Sequence, residues 1–236
     1  VLMSLFQLEA VSEPLDMAKY YGIGNYKDML NSNLFLTSMK NIAKIWLAGG
    51  IGVLVLALVF AVILTSGIRF KRFFRSVIYL PNIISAVAMA TMWLNYVYNI
   101  DYGLFNQVIT FFGGKPVAWT GPGMTFWSML IAYSFGMVGY HMLIFISGIE
   151  RIGVDYYEAA TIEGANVFQK FFRITLPLLK GVIRSNIVIW TVSTACFFVC
   201  GPLFSSVNLS LDSVTPLTFC LSYHSDPANV LAPFLL

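Results

Sequence analysis

Apolar residues in this chain fall in long unbroken runs, not in the short alternating stretches of a water-soluble fold. Four runs, at about residues 42–66, 77–98, 124–149 and 182–203, are each long enough for a helix to cross a bilayer. That crossing takes about 20 predominantly apolar residues. A further run begins near Pro227 and stops with the sequence. The first run has a middle, VLVLALVFAVIL, with no polar stripe, which predicts a partly lipid-facing helix. Lys44 stands at its start, where a long side chain reaches the interface, and Gly49 and Gly50 offer a small surface for close helix contact. Pro81 and Asn82 predict a kink in the second run, and Trp93, Tyr96 and Tyr98 at its far end predict an interfacial aromatic belt. In the third run Tyr133, Gly136, Met137 and Tyr140 share one helix face; in the fourth, Trp190, Thr194 and Phe197 do.

The polar segments between the runs set an orientation. Arg69, Lys71, Arg72 and Arg75 stand together with no acid among them, which places that loop in the cytoplasm. Arg151, Lys170, Arg173, Lys180 and Arg184 put the segment after the third run on the same side. Residues 99–123 carry only Asp101 and Lys115, and residues 205–226 carry two aspartates and no Lys or Arg, so both are expected outside. Residues 1–40 are mixed and form an expected extracytoplasmic lead-in. Pro14 and the Gly22–Gly24 pair break it, and residues 25–38 are amphipathic, either lying on the membrane or leading into the first span. Residues 41–236 then form one transmembrane domain. The chain starts without Met, and its acidic beginning would need an earlier span to bring it outside; a fragment cut at both ends is expected. The start has no basic region ahead of an apolar core and does not read as a signal peptide.

The composition, 58% hydrophobic and 11% charged, is that of a membrane protein, and a net charge of +3 gives no sign of a nucleic-acid partner. No Asp or Glu lies inside the four runs, which argues against proton- or ion-coupled carriage. Cys196, Cys200 and Cys220 are odd in number, two of them within an apolar run, and read as small buried hydrophobes, not a disulfide or metal framework. His141 reads as a packing or hydrogen-bonding group. His224 with Asp226 and the neighbouring Ser222 and Ser225 reads as a polar loop, since a triad is recognised by geometry. No phosphate-binding GxxxxGK[ST] loop is present, so any ATP and Mg²⁺ would be bound by another chain; no catalytic residue, metal ligand or cofactor is expected here.

The most informative segment is 150–181, and within it 158–177, EAATIEGANVFQKFFRITLP. Residues 154–163 predict a short helix whose Ala159 and Ala160 leave room for close approach. Gly164 is suited to end it, Asn166 to cap the next helix, and Phe168, Phe171 and Phe172 to give that helix apolar bulk. Pro177 is expected to stop the helix before the fourth run. Physically this is a two-helix elbow. It could dock a partner protein or lie on lipid, and both remain open on these grounds.

Glu158-Ala159-Ala160, Gly164, Ile174, Leu176 and Pro177 fit the pattern E-A-A-x3-G-x9-I-x-L-P. This resembles the signature of binding-protein-dependent ABC importer permeases. The segments IGNYKDML with Asn41, RFFRSVIYLPNIISAVAMATMW, Asp101-Tyr102-Gly103 with Asn106, and MLIFISGIERIGVDYYEAA resemble the carbohydrate-uptake branch, the maltose and glycerol-phosphate type. The pattern departs at Glu163, where Asp is usual, and at Gly153 and Gly181, where proline is common; residues 202–226 match poorly. The resemblance implies an all-α membrane helix bundle with six core spans, the first and the end of the last missing here. It implies a pair of cytoplasmic coupling helices docked on one of two ATPase subunits through Glu158, with Gly164 as the turn. It also implies a second permease subunit, an extracytoplasmic solute-binding protein, and a place in a bacterial or archaeal cytoplasmic membrane. Tyr133, Gly136, Met137 and Tyr140, with Trp190, Thr194 and Phe197, would line the solute path, helix packing being the alternative for each. The solute would be a sugar or related compound. A permease for a polyamine or phosphate ester, or a channel-like or structural membrane protein, stays open beside it.

Overall fold

The computed structural model describes Leu5, residues 20–195 apart from Pro122, and Thr215. Among these residues the regular structure is helical. A short helix, α1 (Gly24–Asn31), ends at Ser32, whose hydroxyl accepts the Phe35 N–H and starts the next helix. That helix, α2, runs over Asn33–Thr65. Of the amphipathic lead-in, residues 25–31 form α1 and residues 33–38 are the first turns of the spanning helix itself.

Between Ile45 and Gly49 α2 widens into a π-helical turn. Beyond it the helix is apolar all round and sorts its faces by size. Val53, Ala57, Ala61 and Leu64 form a buried seam, while Ile51, Val55, Val59 and Ile63 are exposed, as a lipid-facing surface requires. A turn through Gly67 leads to α3 (Lys71–Ile83). The chain then bends by 98° into α4 (Ala86–Val97). A short helix, α5 (Leu104–Phe111), follows, and then α6 (Thr125–Ile149), 25 residues long.

The core is built on α6, which packs along α2 on one side and α3 on another. One cluster joins Phe126, Met129, Leu130 and Ala132 of α6 to Ile45, Trp93 and Tyr98. The other joins Val138, Met142, Phe145 and Ile146 to Val53, Ala57, Ala61 and Trp190. Among the described residues two helices, α2 and α6, are long and apolar enough to cross a membrane, and α3 with α4 adds a third if the bent pair is one span. The fourth expected run forms α9 (Lys180–Ala195); residues 196–203, and the run expected from 227, lie outside the described residues.

Three expectations change. The second run is a broken span, not a kinked one. Ile84 and Ser85 are extended, so the helix stops completely. Pro81, in its last turn, has no N–H to return to the Val77 carbonyl. Asn82 donates instead to the Gly136 carbonyl of α6 at 3.2 Å, anchoring the broken end. The basic group Lys71, Arg72 and Arg75 lies on α3, which begins before the apolar run does. The aromatic belt is also reassigned. Trp93 and Tyr98 are buried and only Tyr96 is exposed, because the following loop brings Phe105 and Trp119 back onto them. That loop is tied by Asn106, which donates to the carbonyls of Asn99, Ile100 and Val117 and accepts from the Val117 N–H and Trp119 Nε1. Tyr98 Oη and Ser128 Oγ close the knot on the Ser128 and Trp119 carbonyls at 2.8 and 2.7 Å.

Candidate functional site

After α6 the chain turns through residues 150–153 into α7 (Val154–Ile162). Gly164, at φ +77°, then reverses it. The Ala165 N–H bonds the Ala160 carbonyl and the Gly164 N–H the Thr161 carbonyl, a Schellman closure that a left-handed residue makes possible. Two residues on, Asn166 opens α8 (Val167–Lys170) with a reciprocal cap: its side chain accepts the Gln169 N–H and the Gln169 side chain accepts the Asn166 N–H, each at 2.8 Å. A stop signal at Gly164 and a start signal at Asn166, two residues apart, therefore produce a tight elbow from local chemistry alone.

Two side-chain bonds brace the elbow. Lys170 Nζ donates to Thr161 Oγ1 at 2.8 Å, joining α8 to α7. The hydroxyls of Tyr157 and Thr175 lie 2.9 Å apart, joining α7 to the root of the following helix. Pro177 does not stop the helix, as was expected. The chain stays helical through a π-turn at Phe171–Thr175 and a short turn at Leu176–Leu178, and breaks only at Leu179 before α9. The wide turn accommodates the missing proline N–H, so the elbow feeds almost directly into α9.

The elbow's outer surface is apolar. Ile162, Val167 and Phe168 are each at least 75% exposed, with Val154, Tyr156 and Phe172 beside them. Glu158 and Ala159 are exposed on the same short helix, Ala160 is partly exposed, and Gly164 and Pro177 are exposed; Ile174 and Leu176 are partly buried towards the bundle. These exposed apolar side chains stand among the exposed carboxylates of Asp155, Glu158 and Glu163. At its base Arg75 of α3 pairs with Glu150 at 2.6 Å, tying the broken span to the point where the elbow begins.

The second region lies at the break between α3 and α4. A cavity of about 230 Å³ is lined by Pro81, Asn82, Ile84, Ala86, Met89 and Ala90, facing Ala132, Tyr133, Gly136 and Met137 of α6. Three of the four residues expected to share a face on the third run thus meet in one cavity. Tyr140 does not. It lines a separate groove of about 400 Å³ nearer the elbow with Tyr79, Ser147, Arg151 and Ser185. Trp190 and Thr194 are buried in helix packing. The Trp190 ring fills the hollow left by Gly49 and Gly50, where a Cβ on Gly50 would lie 2.6 Å from Trp190 Nε1, and it meets Tyr133 at 5.7 Å. Phe197 lies outside the described residues.

Sequence reasoning missed the contribution of Asn82, Ala86 and Met89 to this cavity. The signal was the polar pair Asn82 and Ser85 beside Pro81 in an otherwise apolar run. It also missed Asn186 as a partner for His141, because nothing in the local pattern of either helix points to the other.

Residues 53–200 match the family described as binding-protein-dependent transport system inner membrane component. The xylose/arabinose import permease protein XacH of Haloferax volcanii is 33% identical over 168 residues, covering 71% of this chain and 53% of that protein. The trehalose/maltose transport system permease protein MalF of Thermococcus litoralis is 34% identical over 145 residues, covering 61% and 49%. The lactose transport system permease protein LacF of Rhizobium radiobacter is 28% identical over 211 residues, covering 83% and 69%. The chain spans about half the length of the first two. Among solved structures, a bacterial ABC transporter involved in the import of the acidic polysaccharide alginate superposes with a TM-score of 0.79 at 18% identity, over 93% of this chain and 76% of that one. At that identity the likeness is one of fold.

Proposed function

This chain belongs to the family of binding-protein-dependent transport inner membrane components, and from that membership we propose that it is the permease subunit of an ATP-driven importer for a sugar or related solute. The observation that carries the proposal is the elbow at residues 154–178: braced from within, rich in exposed apolar side chains, and joined through the single turn residue Leu179 to a helix that enters the bundle. A surface anchor resting on lipid would need no internal brace to the root of α9; a lever does. The sugar class rests on the relatives, which are named for xylose, arabinose, maltose and lactose.

In this proposal the elbow faces the cytoplasm, on the same side as the basic residues of α3, and seats in a groove of an ATPase subunit. Glu158 is the charged contact, and Ile162, Val167 and Phe168 are the apolar ones. ATP and Mg²⁺ are bound by that partner, not by this chain. A second permease, a second ATPase subunit and an extracytoplasmic solute-binding protein complete the assembly in a multi-pass arrangement. The cavity at the broken span, with Tyr133, Gly136 and Met137, is the stretch of the solute path that this chain supplies; aromatic rings stack on the apolar faces of sugar rings. ATP binding closes the ATPase pair, the elbow moves, and the span bundle changes which side the cavity faces. The switch is driven by the different affinities of the two states for nucleotide and solute.

Glu158→Lys tests the docking. The variant is expected to insert in the membrane as the native chain does but to lose co-purification with the ATPase subunits and with it ATP-driven uptake. Normal co-purification would remove Glu158 from the interface; uptake persisting without any ATPase would favour a channel.

A further inference from the structure

The elbow hangs between two helices, joined to α6 through residues 150–153 and to α9 through Leu179, and α6 lines the cavity, so the elbow moves α6 as one body with α9 only if the two helices hold their register. Near the elbow the two helices touch through apolar groups: Leu179 and Val182 pack on Gly148, where a Cβ would meet Val182 at 2.8 Å. In lipid such contacts carry no hydrophobic penalty against sliding. About two turns along α9, the character of the contact changes. His141 Nδ1 and Asn186 Oδ1 lie 2.7 Å apart, and both residues are fully buried. The Asn186 amide nitrogen donates to the Val182 carbonyl at 3.2 Å, so its oxygen faces the imidazole and Nδ1 carries the proton. Among the described residues His141 Nε2 has no hydrogen-bond partner, so there the bond to Asn186 is the polar link that the imidazole makes. Sliding or rotating α9 against α6 would strand a donor and an acceptor in an apolar interior.

On the other side α9 is held differently. Trp190 Nε1 donates to the Trp46 carbonyl at 2.9 Å, and Trp46 Nε1 donates to Thr191 Oγ1 at 2.8 Å. That reciprocal pair fixes α9 to the π-turn of α2 and does not involve α6. Breaking the His141–Asn186 bond would therefore leave α9 hydrogen-bonded to α2 while α6 meets it through apolar and ring contacts, such as Tyr133 on Trp190, and α6 is the helix that carries Met137 into the cavity.

We propose that His141 and Asn186 are positioning residues that lock α6 to α9 in register, so that movement of the elbow reaches the solute cavity. This rests on the importer function above. The pair touches neither nucleotide nor cavity; it transmits.

The test uses the assembled transporter with its partner subunits in proteoliposomes, with Cys196, Cys200 and Cys220 replaced by Ala. A single reporter, Met137→Cys, is labelled with a membrane-impermeant maleimide without nucleotide and after trapping with ATP and vanadate. In the native background the labelling rate is expected to change by about tenfold between the two states, within the usual range of such couplings. With His141→Leu the change should fall below about twofold while ATPase subunits still co-purify. His141→Asn, which retains a donor near the Nδ1 position, should restore most of it. A full change in His141→Leu, or no recovery in His141→Asn, overturns the proposal. No change in the native background overturns the ATP-driven importer itself, and the locking role with it.

A second measurement does not depend on His141→Leu assembling. In the same background a Gly148→Cys and Val182→Cys pair is oxidised to a disulfide. If α6 and α9 keep their register, ATP hydrolysis of the oxidised complex should stay within about twofold of the reduced one. A loss of tenfold or more on oxidation would mean that the helices slide during the cycle, and would overturn the proposal.

Discussion

The elbow and the broken span are built by opposite means. In the elbow, the bonds that fix geometry join near neighbours: Asn166 and Gln169 are three residues apart, and Tyr157 and Thr175 eighteen. At the broken span they join distant residues: Asn82 to Gly136, 54 apart, and Arg75 to Glu150, 75 apart. The elbow's shape is set by bonds among its own residues and the root of the following helix. The broken span takes its shape from α6. One region is braced from within, and the other is set by the helix beside it.

The sharpest way to break this comparison is to disable each region and compare what fails. Glu158→Lys should weaken ATPase docking by about 2–5 kcal/mol, the range for reversing or orphaning an interfacial charge, and so abolish uptake. Its thermal unfolding in detergent should be unchanged, since Glu158 is exposed. Gly139→Leu should do the reverse. The Ile78–Tyr79 backbone of α3 lies directly against Gly139, and a Cβ there would overlap the Ile78 carbonyl and Tyr79 Cα. Backbone cannot rotate away as a side chain can. Insertion of bulk should cost about 3 kcal/mol or more and yield little folded protein, measured by size-exclusion recovery and melting temperature. Equal melting temperatures for the two variants would mean that α3 does not depend on α6.

A second comparison separates packing from path among the aromatics. Trp190 is 1% exposed and fills the hollow at Gly49 and Gly50. Trp190→Ala should destabilise the bundle by about 3–5 kcal/mol, as large cavities do. Tyr140, 37% exposed on the groove near the elbow, should tolerate Ala with a change below about 1 kcal/mol. Its effect should appear instead in uptake kinetics. A large melting shift in Tyr140→Ala would make it a packing residue too.

This division also explains what could be read from the sequence. Gly164, Asn166 and the helix of residues 154–163 were legible because capping and reversal are decided within a few residues. The spanning runs of α2 and α6 were legible from length alone. The reach of helix through Pro177 was not, since a π-turn can absorb a proline and leaves no trace in the spacing. Nor was the burial of Trp93 and Tyr98. Aromatics near the end of an apolar run look alike whether they meet headgroups or Trp119, and only Asn106 folding the loop back decides it. His141 was expected to be a packing or hydrogen-bonding group, and the bond to Asn186 gives that group its partner.

Within the elbow, Asn166→Ala removes one half of the reciprocal cap and leaves the Gln169 N–H without its partner. The expected loss is about 1 kcal/mol, seen as a lower melting temperature of the docked complex; Asn166→Ser should recover most of it. A loss no larger in Ala than in Ser would show that the partner subunit, not the cap, holds α8.

The smallest effect lies where the two regions meet. Arg75 and Glu150 join the start of the broken span to the base of the elbow, with side chains 22% and 51% exposed. Water and salt screen such a pair, so its contribution to stability should be at most about 1 kcal/mol. Arg75→Gln, Glu150→Gln and the double variant form a cycle that isolates the interaction. The coupling should shrink as salt is raised, because half-exposed charges are screened within a Debye length of about 8 Å at physiological ionic strength. If the pair merely decorates the surface, uptake will follow stability and hardly change. If it holds α3 against the elbow's base in one state of the cycle only, the single variants will shift the balance between the two states by the same small energy, and the double variant will not shift it further. The Met137→Cys labelling rate without nucleotide reads that balance directly, so a coupling of even half a kcal/mol, a change of about twofold, is within reach.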